Sequence, residues 1–229
     1  MLLRHRPKDG KLLGVGPLGP FVARRFRLTT ENVFLISGIL IVLLYWVADL
    51  YAAWSSALED AHGAGGTLVT RMNVIFFAIG FSLLGLLYEQ HPRLMKDARW
   101  SLRVAVGYLL LLDGLVHLFA FNDHLAEPFP AAFFGVLAPV QILAGVLFPN
   151  AGPRGNLWWL VLAAFLVTAY FATRAFAVWP FGKIEELDAM GLLSKGVEVL
   201  TIISLVVLLR LERGSGTQAA AGTLAGAKS

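Results

Sequence analysis

Six stretches of this chain, residues 33–54, 72–88, 103–121, 131–149, 157–179 and 192–210, each approach or exceed the ~20 apolar residues that a helix needs to cross a bilayer. Hydrocarbon offers no water to satisfy a backbone N–H or C=O, so such a segment must close its own hydrogen bonds as a helix. The expected fold is all-α, an integral membrane bundle of six transmembrane helices over residues 31–212. A basic tail, 1–30, precedes it. A low-complexity tail, 213–229, follows and is expected to be unstructured. With 57% of residues hydrophobic, a single membrane domain accounts for nearly all of the length.

Charge placement orients the bundle. Fifteen of the nineteen Lys and Arg residues fall in the N-terminal tail, the second loop (Arg93, Lys96, Arg99, Arg103), the fourth loop (Arg154) and the C-terminal tail. The alternate loops hold Arg71 and Lys183 against Glu59, Asp60, Asp123, Glu127, Glu185, Glu186 and Asp188. The positive-inside rule then puts both termini in the cytoplasm of a multi-pass protein of the plasma membrane. Its basic face is expected to meet anionic lipid headgroups, so the net charge of +4 calls for no nucleic acid. The N-terminal tail lacks the apolar core of a signal peptide. Between the second and third spans, His91–Pro92 predicts a helix break. Pro139 predicts a kink within the fourth, and the segment PFGKIEELDAMG predicts a short interfacial helix. Trp46, Trp54 and Trp179 fall at one expected interface, and Trp100, Trp158 and Trp159 at the other.

Several chemistries are excluded. Without cysteine there are no disulfides, thiolate metal sites, iron–sulfur clusters or covalently attached haem. Phosphate-binding loops, GxSxG elbows, HExxH pairs and dinucleotide fingerprints are missing too. What remains is imidazole and carboxylate at unusual depth. Asp49, Asp113, His117, Arg174, Lys195 and Glu198 all lie inside the apolar stretches. A charge there costs a few kcal/mol or more, so it is normally paired or lines a cavity.

Asp113, His117 and His124 carry the most specific pattern. Spaced four and seven apart, they share one helix face to within roughly 40°. Asp113 falls near the bilayer midplane, His117 one turn further out and His124 at the outer surface. Such a column suits ligation of a divalent metal such as copper or zinc. It equally suits a proton relay to the outer water, or polar glue between helices. Asp49, Arg174, Lys195 and Glu198 are the expected charge partners: Arg174 with Asp49, Asp113 or Glu198, and Lys195 one turn from Glu198.

The segment Asp113–Gly–Leu–Val–His117 resembles the Asp-Gly-x-x-His stretch in the C subunit of copper membrane monooxygenases, although that family's next histidine lies much further along than His124. A longer stretch resembles uncharacterised small membrane proteins of bacteria and archaea. These carry a Gly-x-x-His-Leu helix end, an acidic–His pair and a following helix with Gly and Gln. Gly114, His117, Leu118, Asp123, His124, Gly135 and Gln141 carry the likeness here. It implies no activity, but it implies a hairpin of the third and fourth helices with Gln141 inside the bundle.

The leading expectation is a membrane protein with an outward-facing His/Asp metal site, acting as an accessory subunit of a redox or copper-handling assembly. Asp113, His117 and His124 would be the ligands, with Arg174 and Glu198 orienting them. The alternatives are a proton-coupled carrier or channel titrating at Asp113, and a structural or assembly subunit with no chemistry of its own.

Overall fold

The computed structural model describes residues 29–58, 68–178 and 187–226. These form six helices: α1 (Thr30–Leu58), α2 (Leu68–Lys96), α3 (Ala98–Asp123), α4 (Pro128–Leu147), α5 (Asn156–Ala175) and α6 (Ala189–Gly226). There is no strand among the described residues, and all six helices are long and apolar enough to span a membrane. The N-terminal tail to residue 28, the glycine-rich loop at 59–67 and the expected interfacial helix at 179–186 lie outside the described residues.

α3 is the axis of the bundle. In its most apolar stretch 67% of residues are buried, against 39% or fewer in every other helix. It packs on α4 and α6 and touches α1 and α2. Close approach to α4 rests on glycine. A Cβ on Gly145 would stand 2.7 Å from both the Gly107 carbonyl oxygen and the Leu111 nitrogen, and one on Gly114 would stand 2.8 Å from the Ile142 nitrogen. Without a hydrophobic drive between helices in lipid, such backbone proximity supplies the packing energy. Trp46 ties α1 in, donating its indole N–H to the Leu118 carbonyl at 2.8 Å.

Three boundaries differ from the sequence-based expectation. α2 runs through Pro92 to Lys96, and the break falls at Asp97, whose carboxylate caps α3 by accepting from the Arg99 and Trp100 amides. A local cap thus overrides the proline signal. α5 stops at Ala175, not Trp179, because Phe176 turns extended; Arg174 therefore sits in the last turn. The α6 backbone stays helical to Gly226, past the end of the apolar span at Arg213. Extending a nucleated helix through the proline-free, alanine-bearing tail adds one hydrogen bond per residue fixed.

The two ends of the bundle differ. At the basic end Val106, Leu110, Phe148, Leu205 and Leu208 form a buried apolar cluster. Beyond it Arg103 bonds the Ala151 carbonyl at 2.5 Å and pairs with Glu212 at 2.5 Å. At the opposite end lie polar clusters and open space.

Candidate functional site

Midway along α3 the backbone presents Asp113 and His117 one turn apart, both nearly inaccessible. Gln141 of α4 clips them together. Its Nε2 donates to Asp113 Oδ2 at 2.6 Å, and its Oε1 meets His117 Nδ1 at 2.6 Å. Because the amide oxygen accepts, Nδ1 carries a proton, and in the neutral ring His117 Nε2 keeps its lone pair. That nitrogen faces Ser194 of α6, whose Oγ lies 3.4 Å away and donates to Asp113 Oδ1 at 2.6 Å. One turn deeper, Glu198 Oε1 accepts from the Lys195 ammonium and lies 3.4 Å from Ser194 Oγ. Glu198 Oε2 is buried with no partner among the described residues.

Asp113, His117 and Glu198 each place a ligand atom within 4.8 Å of the other two. The donors are one imidazole and two carboxylates, a hard-to-intermediate set matching Zn²⁺ or Cu²⁺ better than Cu⁺. The Gln141 clip is also the kind of outer contact that fixes the tautomer and ring angle of a ligating histidine. The Lys195 ammonium rests against one of the carboxylates, so a metal entering here displaces it or shares Glu198 with it.

The other sequence-derived residues fall elsewhere. His124 caps the end of α3, 3.4 Å from Glu127, and stacks on Phe134 at 5.4 Å. His117 stacks on the same ring at 5.3 Å, so both imidazoles lie against Phe134 rather than around a common point. Arg174 pairs with Asp188 at 3.3 Å and lies 3.6 Å over the Tyr170 ring; its ion pair is not with Asp49, Asp113 or Glu198. Asp49 belongs to a second cluster. There Arg71 of α2 binds Asp49 through Nε and Nη2 at 3.3 and 2.9 Å and Asp123 through Nη1 at 2.7 Å, while Asn122 donates to Asp49 at 2.8 Å. This cluster joins α1, α2 and the end of α3.

Above the Asp113–His117–Glu198 group a cavity of about 570 Å³ opens toward the end of the bundle opposite the basic face. His117, Ser194 and Lys195 form its floor, and Asp123, His124, Arg174 and Asp188 stand around its mouth.

Sequence reasoning passed over Arg71, Asn122 and Ser194. Arg71 reads as a loop residue until α2 is seen to begin at Leu68. Ser194 precedes Lys195 and lies one turn before Glu198, so the face shared by Lys195 and Glu198 was its only signal.

Compared with protein-family models, with curated proteins and with solved structures, the chain matches none.

Proposed function

We propose that this polytopic membrane protein binds a divalent transition metal, zinc or copper, through Asp113, His117 and Glu198. The observation that carries the reading is the convergence of those three donors within 4.8 Å of one another, with Glu198 Oε2 buried and unpartnered among the described residues. A buried carboxylate oxygen without a partner costs free energy that a cation would recover. His124, at the cavity mouth, is then an entry residue rather than a ligand. Under the positive-inside rule the cavity opens away from the cytoplasm, which makes the site one for metal arriving from outside. Within that reading, the protein serves a larger redox or copper-handling assembly.

Metal analysis and calorimetric titration of the detergent-purified protein test this. The expected result is one equivalent of zinc or copper, lost in His117→Ala and Glu198→Gln and kept in Asp188→Asn. Equal and empty wild type and variants would remove the metal.

One observation favours a second reading. Lys195 already sits against Glu198 as an internal cation. With Asp113 and His117 adjacent, the group is equally a proton-exchange centre facing one side, as in a proton-coupled carrier. That reading expects pH-driven flux into proteoliposomes, abolished by Asp113→Asn and indifferent to chelators.

A further inference from the structure

The polar cavity has a second arm. A cavity of about 500 Å³ shares His117, His124, Phe134, Tyr170, Arg174 and Lys195 with it and runs sideways between α4 and α5. Its walls are aromatic and aliphatic: Phe129 and Phe133 from α4 face Phe165 and Leu166 from α5. Phe129 and Phe165 are also exposed on the outside of the bundle, so this arm opens laterally, where acyl chains surround the protein. We propose that the joined chamber binds a membrane-dissolved amphiphile with a flat, carbonyl-bearing ring and an aliphatic tail, the chemistry of a prenylated quinone, admitted between α4 and α5.

Three observations select that occupant. The combined space has the size and the mostly apolar lining of a small-molecule site with a few convergent polar groups. Where the arms meet, Phe134 and Tyr170 offer ring faces, and donors are at hand: the Arg174 guanidinium lies 3.6 Å over the Tyr170 ring, Lys195 Nζ lies 5.5 Å from its centroid, and both side chains line both arms. Charge balance then distinguishes a neutral acceptor from an anion. Arg174 is offset by Asp188, Lys195 by Glu198, and Arg71 by Asp49 and Asp123. Among the described residues no surplus positive charge remains for a carboxylate or phosphate head, whereas a carbonyl oxygen needs only one N–H.

The proposal stands apart from the metal reading, because the tail arm contains none of the three metal donors except the edge of His117. Its test is saturation binding of a decyl-tailed benzoquinone to the full chain in lipid nanodiscs, with palmitate as competitor. The expected result is single-site binding that palmitate leaves untouched. Ala169→Trp, which fills the tail arm, should abolish it. Arg174→Gln should weaken it about tenfold, the scale of one hydrogen bond from a charged donor. Chelator treatment, which would empty a metal site, should leave it in place. Should Ala169→Trp fail to fold, Thr168→Trp on the exposed lip of the same arm serves instead. Undiminished binding in the filled variant, displacement by palmitate, or no saturable binding would each overturn the proposal.

Discussion

Replacing Gln141 by leucine keeps the side-chain volume and removes the clip between α3 and α4. Two contacts of 2.6 Å disappear together, leaving Asp113 Oδ2 and His117 Nδ1–H without their partners in a buried setting. A side-chain hydrogen bond between membrane helices contributes about 0.6 kcal/mol on average and about 1.7 at most, so the pair predicts a loss of about 1–3 kcal/mol. Metal binding falls separately. Loss of the group that orients a ligating imidazole typically costs about 10–100-fold in affinity. Reversible unfolding in mixed micelles measures the first effect and zinc titration the second. The double variant Gln141→Leu/Asp113→Asn should lose less than the sum of the singles, because both changes break the same Nε2–Oδ2 contact. Wild-type stability in Gln141→Leu, or strict additivity in the cycle, would refute the assignment of the clip.

The remaining predictions are these. Arg71→Ala removes the cation that offsets the buried Asp49 carboxylate and should destabilise by about 3–5 kcal/mol in chemical unfolding, whereas Asp123→Asn, on the half-exposed partner, should cost about 0–1. Lys195→Met removes the ammonium that competes for Glu198. If Asp113, His117 and Glu198 hold a metal, its affinity should rise about tenfold or more in titration, since like charges about 5 Å apart at an effective dielectric near 20 repel by several kcal/mol. Gly145→Val drives a side chain into the Gly107 and Leu111 backbone and should lower thermal stability by the equivalent of about 1–3 kcal/mol, while Gly152→Val, in open space, should not.

The six spans were readable because hydropathy is a local property, and so was the juxtaposition of Asp113 with His117, which one turn of helix guarantees. Glu198 and Lys195 were readable as a pair for the same reason. The partners that organise the group were not: Gln141 lies 28 residues from Asp113, and Ser194 lies 81. Only the α3–α4 approach through Gly107, Gly114 and Gly145, and the docking of α6, bring them in. His124 shows the limit of face arithmetic. It shares an angular sector with His117, but α3 ends one residue before it, and the rise along the axis puts Phe134 beside both rings. Arg174 moved for a backbone reason, since α5 ends four residues before the apolar run does. The capping carboxylate at Asp97 likewise outweighs Pro92, a residue that sequence patterns treat as decisive.

The apolar cluster of Val106, Leu110, Phe148, Leu205 and Leu208 makes the chamber a cul-de-sac. Below the cavity floor lies a dry seal of packed apolar side chains before the basic rim, and hydrophobic constrictions of this kind block permeation by dewetting. Passage to the far side would require α6 to peel away from α3 by at least a side-chain diameter, tearing Ser194 from Asp113 as it went.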